Sequence, residues 1–88
     1  MEGINNQETI PLSDVRAGQG GRIVALERDD EHMNRLTELG LIAGETVHVV
    51  KYAPLGDPIE VKILNYNLCI RKQEAKSVRV LLEEGGLE

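Results

Sequence analysis

The side chains that could carry chemistry in this sequence are few and widely spaced. His32, His48 and Cys69 are its only histidines and its only cysteine. Neither histidine has another histidine, a cysteine or a carboxylate two or four residues further on, which are the spacings that make a ready chelate on a strand or a helix. Glu45 precedes His48 by three residues, a spacing that predicts opposite faces of a strand. We therefore expect ordinary surface histidines and no metal site.

The potential nucleophiles also lack the neighbours that catalysis requires. Cys69 stands between Leu68 and Ile70, a context typical of a small side chain in a barrel wall and not of a reactive thiol in an electropositive setting. Neither Ser13 nor Ser77 lies in a Gly-x-Ser-x-Gly sequence, and no Gly-x-x-x-x-Gly-Lys-Ser/Thr loop is present to cradle phosphates. The sequence predicts a protein that is not an enzyme and that needs no cofactor.

One segment, Ala53-Pro54-Leu55-Gly56-Asp57-Pro58, has no candidate catalytic side chain, but its two prolines restrict the backbone. It predicts a turn with proline in second place and glycine in fourth, and Pro58 forces the residue before it to be extended. Leu55 then either points outward, as an apolar side chain for protein recognition, or folds back onto the body of the domain. From the residues alone the two interpretations have equal weight.

The elements that position these residues are mostly short strands. Five strands are predicted at 22–28, 46–50, 59–63, 68–71 and 78–82, one helix at 30–39, and short helical turns at 12–15 and 73–76. The strand at 22–28 is apolar on both faces, which favours burial on both sides, and the turn at 65–67 is expected to use its asparagines. The result is one mainly β domain at 9–82, a small and partly open barrel with one inserted helix, between flexible termini at 1–8 and 83–88.

Composition excludes several classes of partner. The 88 residues carry 10 Lys and Arg against 15 Asp and Glu, and the net charge of −5 disfavours nucleic acid and anionic membrane surfaces. Tyr52 and Tyr66 are the only aromatic residues, too few to line a groove for proline-rich peptides. No signal-peptide core or membrane-spanning stretch is present, and a single cysteine suits a reducing compartment, so we expect a cytoplasmic protein without direct membrane insertion.

The restricted loop is also the most specific part of a family resemblance. The matching residues are Arg35-Leu36, Glu38-Leu39-Gly40-Leu41, Gly44, the loop continued through Ile59-Glu60-Val61, Leu68-x-Ile70-Arg71-Lys72-x-Glu74-Ala75 and Val78-x-Val80. Together with Leu12-x-Asp14-x-x-x-Gly18 and Gly21-x-Ile23-Val24, they closely resemble the FeoA family over about residues 12–82. Ala43, where the family usually has proline, and Leu64-Asn65 at the hairpin tip are the departures.

The resemblance implies an SH3-like barrel that acts with FeoB, the ferrous iron transporter with a cytoplasmic GTPase domain. It implies partner-binding roles for Arg35, Leu36, Leu39, Pro54, Leu55, Gly56, Asp57 and Pro58. If the helix packs over the barrel mouth, its residues lie beside the loop, Leu36 and Leu55 are apolar anchors, and Asp57 orients the loop by accepting backbone hydrogen bonds. Core packing is the alternative for Leu36 and the preferred interpretation for Leu39.

A related domain occurs at the C-terminus of metal-dependent repressors. The alternative function is therefore that of a regulatory domain of the repressor type. The acidic balance and the absence of a helix-turn-helix pattern argue against it. The sequence leaves the oligomeric state open, as it does the question whether the protein stimulates, inhibits or scaffolds the transporter.

Overall fold

A computed structural model describes residues 8–83. Six strands and two helices follow one another as β1 (Ile10–Pro11), β2 (Gly20–Leu26), α1 (Glu31–Glu38), β3 (Thr46–Tyr52), β4 (Ile59–Ile63), β5 (Tyr66–Ile70), α2 (Lys72–Ala75) and β6 (Val78–Leu82), with a 3-10 turn at Leu12–Asp14. The flexible termini predicted at 1–8 and 83–88 lie outside the described residues, apart from residues 8 and 83.

The strands form one antiparallel sheet in the order β1-β6-β2-β3-β4-β5. All five strands predicted from sequence are present, and the sixth, β1, adds two residues beside β6. The sheet curls without closing, so β1 and β5 are its two edges. The prediction of a mainly β, partly open small barrel with one inserted helix is confirmed.

One hydrophobic core lies inside the curled sheet. Alternate residues of β4 and β6 point into it, as the period of two along a strand requires. The 3-10 turn, α1 and α2 cover the remaining sides. Burial of each large aliphatic side chain stabilises the fold by about 1.5–3 kcal/mol. The core residues are Leu12, Val15, Ile23, Met33, Leu36, Leu41, Val47, Val49, Ile59, Val61, Ile63, Ile70, Ala75, Val78 and Val80.

Strand β2 is buried on one face, not on both as its apolar sequence predicted. Ile23 is fully buried, whereas Val24 is 39% exposed and Ala25 is also exposed. Val24 points outward because it follows the inward Ile23. The register between β2 and β6 then shifts between Ile23 and Ala25, and this bulge interrupts the alternation, so Ala25 is exposed as well.

Helix α1 begins where the capping residues predict. The carboxylate of Asp30 accepts a hydrogen bond from the backbone N–H of Met33 at 3.0 Å, and Gly40 follows the helix with φ +114°. Met33 and Leu36 are buried, but Leu39, expected in the core, is 39% exposed. Each step of three residues turns a helix by about 300°, so Leu39 lies about 120° around the helix from Met33 and leaves the buried face.

The β4–β5 hairpin turns earlier than predicted. Ile63 pairs with Tyr66, so the turn is Leu64-Asn65 and β5 already begins at Tyr66. Among the non-glycine residues described, the left-handed backbone conformation belongs to Leu64, with φ +58°, and not to an asparagine. Tyr66 is 41% exposed beside the hairpin tip.

Candidate functional site

The loop between β3 and β4 is a closed and rigid turn. The backbone N–H of Gly56 donates to the carbonyl of Ala53 at 2.7 Å, and the N–H of Ala53 donates to the carbonyl of Pro58 at 3.0 Å. These bonds place Pro54 second and Gly56 fourth in the turn, as predicted. Leu55 is 95% exposed, so the outward orientation is confirmed and the alternative of a leucine folded back is wrong.

Asp57 connects this loop to α2. Its carboxylate oxygen accepts a hydrogen bond from the backbone N–H of Lys72 at 2.9 Å, at the start of that helix. The first N–H groups of a helix have no partner within the helix, so this contact satisfies one of them. Asp57 was expected to orient the loop by accepting backbone hydrogen bonds. The backbone bond that the structure records ties the loop to an element fifteen residues away.

A groove lies between α1 on one side and β5 with the start of α2 on the other. Leu36 and Leu39 come from the helix, and Leu68 and Cys69 from the edge strand. Leu36 is 7% exposed and therefore belongs mainly to the core, whereas Leu39 presents an open apolar surface. Cys69 was predicted to be a barrel-wall side chain but is exposed, because the alternation of β5 turns Ile70 inward and Cys69 outward.

The rim of this groove is basic. Arg28, Arg35 and Arg71 line it together with His32, although the whole chain is acidic. Arg28 is paired with the Asp30 carboxylate at 2.6 Å. The N–H of Met33 and then the Arg28 guanidinium hold the pKa of the Asp30 carboxyl below its ordinary value. Arg35 and Arg71 are both exposed, and neither takes part in the ion pairs found within residues 8–83.

The structure separates the predicted partner-binding residues into two surfaces. Arg35, Leu36 and Leu39 line the groove, whereas Pro54, Leu55, Asp57 and Pro58 are exposed on the loop, with Gly56 half-buried. No loop residue is among those that line the described groove. The two surfaces are joined through the bond from Lys72 to Asp57, because Arg71 and Gln73, on either side of Lys72, line the groove.

A second depression runs across the outer side of β3. His48 lies over Gly20 of the neighbouring strand so closely that a Cβ atom on Gly20 would be 2.2 Å from the imidazole Cδ2. Glu45 borders the same depression, although its spacing from His48 predicted opposite faces, because Glu45 lies before β3 begins. Within residues 8–83, groups of three or more His, Cys, Asp or Glu residues suited to a metal ion are not found, and the absence of a metal site stays a prediction.

Tyr52 fastens the start of the domain to β3. Its hydroxyl donates to the carbonyl of Val15 and lies 3.2 Å from the carbonyl of Ser13. Burial, with the negative charge of Asp14 as a smaller cause, raises the pKa of the Tyr52 phenol. This tyrosine is therefore occupied in holding the fold and does not form part of an aromatic recognition groove.

This curled antiparallel sheet, with an exposed apolar loop and a groove beside its edge strand, has the architecture of an SH3-like domain. Neither helix in residues 8–83 has the length and apolar character needed to cross a bilayer. The chain belongs to the FeoA family, because the model of the FeoA domain matches residues 10–82.

The relatives connect this family with ferrous iron transport. The chain is 35% identical over 71 residues to the Fe(2+) transport protein A/Fe(2+) transporter FeoB fusion protein of Porphyromonas gingivalis. That match covers 81% of this chain and 8% of the fusion protein, so the chain spans a small part of its relative.

Solved structures of the family have the same fold. Iron(II) transport protein A of Clostridium thermocellum is 39% identical, with a TM-score of 0.81 over 86% of this chain and 47% of its own. The zinc complex of Stenotrophomonas maltophilia FeoA, described as a prokaryotic SH3 domain protein, is 26% identical, with a TM-score of 0.71 over 90% of this chain and 95% of its own. A manganese-dependent transcriptional repressor, 19% identical with a TM-score of 0.75, shows the shared fold alone.

Proposed function

We propose that this protein is a cytoplasmic accessory protein of ferrous iron transport that binds the cytoplasmic part of a FeoB-type transporter, where the GTPase domain lies. The observation that carries the proposal is the fusion of a similar domain to FeoB in the Porphyromonas gingivalis protein. A domain joined covalently to another is held at a high effective concentration beside it, which favours contact between them.

The surface of the chain supports such a contact. Leu55 is 95% exposed on a turn closed by two backbone hydrogen bonds, so a partner can bury it without first ordering the loop. An exposed apolar side chain on a preformed loop is typical of protein recognition. On this proposal the protein acts by binding and is not an enzyme. The alternative role as a repressor-type regulatory domain has no observation of its own in its favour, because the likeness to repressors is one of fold.

The test is co-purification of this protein with the FeoB-type transporter of the same organism in detergent. We expect the parent protein to co-purify, Leu55→Ala to co-purify less, and Val50→Ala to behave as the parent. Val50 is the matched control, an aliphatic residue that is 40% exposed on β3, outside the loop, where it lines the second depression. Thermal melts of both variants establish that they are folded. Absence of association between the parent protein and the transporter would remove the proposal.

A further inference from the structure

The groove between α1 and β5 has a charge opposite to that of the molecule around it. The chain has a net charge of −5, yet three arginines and one glutamate line this groove, and only one of the arginines, Arg28, is in a described ion pair, with Asp30. The glutamate, Glu74, accepts a hydrogen bond from the backbone N–H of Arg71 at 2.9 Å, so it is engaged at the start of α2. A local basic surface on an acidic protein is a marker of an anionic partner.

Part of the groove lining is apolar. Leu39 is 39% exposed and Leu68 is half-buried, and both line the groove together with the arginines.

We propose that this groove binds an acidic amphipathic segment of a partner protein, with its apolar side chains on Leu39 and Leu68 and its carboxylates on Arg35 and Arg71. Charge complementarity and the apolar residues of the groove lining favour this occupant over a neutral or basic one. The assignment of this acidic segment to the cytoplasmic part of the transporter rests on the proposed function above. The loop that carries Leu55 is then a second contact, tied to the groove by the bond from Lys72 to Asp57.

A direct probe is a synthetic peptide with leucine at every third or fourth position and glutamate between, compared with the same peptide carrying lysine for glutamate. The readout is alkylation of Cys69, the sole cysteine of the chain, which is exposed in the groove. At saturating concentration the glutamate peptide is expected to slow alkylation about tenfold, since the rate follows the free fraction of the protein. The lysine peptide is expected to have no effect. Protection that is equal with both peptides, or absent with both, overturns the proposal.

Charge variants locate the binding site. Arg35→Glu combined with Arg71→Glu is expected to raise the Kd for the glutamate peptide at least about tenfold, because two attractive contacts become repulsive. Lys62→Glu combined with Lys76→Glu changes the net charge equally at residues outside the groove lining and is the matched control. If the control weakens binding as much, the effect is one of net charge and the proposal fails. If thermal melts show that the double glutamate variant is unfolded, a double variant with the neutral substitutions Arg35→Gln and Arg71→Gln is used in its place.

The same variants in the transporter co-purification distinguish failure of this inference from failure of the proposed function. If the parent associates with the transporter and the groove variants do so equally well, the accessory role stands and the groove does not contribute. If the parent protein binds the glutamate peptide through the groove but not the transporter, the groove proposal stands and its assignment to the transporter is wrong. Sedimentation of the parent tests a second copy of this chain as occupant: self-association that the groove variants abolish would overturn the peptide proposal.

Discussion

Truncation of Leu36 distinguishes a core role from a contact role for the most ambiguous residue of the helix. Leu36 is 7% exposed and packs with Met33 on the covered face of α1. Replacing a buried leucine with alanine leaves a cavity. At this partly peripheral site we expect the free energy of unfolding to fall by about 2–4 kcal/mol. In a domain of this size that loss lowers Tm by roughly 10–25 °C. Leu36→Ala is therefore expected to be a strongly destabilised protein.

The assay is thermal unfolding followed by far-ultraviolet circular dichroism, with urea titration to give the free energy of unfolding. Leu55→Ala is the control, because Leu55 is 95% exposed and its truncation should change stability by no more than about 0.5 kcal/mol. A melt of Leu36→Ala within a few degrees of the parent would show that this side chain is not part of the core. Loss of transporter association in Leu36→Ala could then be interpreted as loss of a contact.

Three further predictions concern packing, capping and pH. Gly20→Ala should lower the free energy of unfolding by about 1–3 kcal/mol through overlap with His48, and adding His48→Ala should restore much of it in urea titrations. Asp57→Ala should cost about 1 kcal/mol in the same assay by removing the acceptor for Lys72, and Asp57→Asn should cost less because an acceptor remains. The pKa of Asp30 is lowered in the fold, so its contribution to stability is present above pH 3.8 and is lost as the pH falls through the folded value. Asp30→Asn should therefore melt with a weaker acid dependence than the parent between pH 5 and about 2, and an unchanged dependence would contradict the capping role.

Patterns that depend on near neighbours in the chain could be predicted from sequence. The alternation of Ile59, Val61 and Ile63 fixes the inward face of β4, and the same rule identifies β6. Asp30 and Gly40 mark the ends of α1, because their backbone and side-chain preferences act locally. The outward position of Leu55 follows from the turn that contains it, although the residues alone could not exclude the alternative.

Features set by distant contacts could not be predicted. The short strand β1 is recognised only by its pairing with β6, since two residues carry no periodic pattern. The bulge that leaves Ala25 exposed next to Val24 arises from the register between two strands far apart in sequence. The basic groove combines Arg35 and Arg71 from separate elements, so the arginines form no run in the sequence. One signal was available: Arg71 and Arg35 both lie in the segments that resemble the FeoA family.

The pairing of β1 with β6 brings the two ends of the domain together. Ile10 lies opposite Val80 in antiparallel register, so the chain approaches the domain and leaves it along one edge. A tether to another protein, attached before β1 or after β6, would depart from this same edge. The groove between α1 and β5 borders the opposite edge strand of the sheet, so the tether would not start beside it. The arrangement also suits circular permutation, with a short linker joining the present ends and new ends opened at Leu64-Asn65.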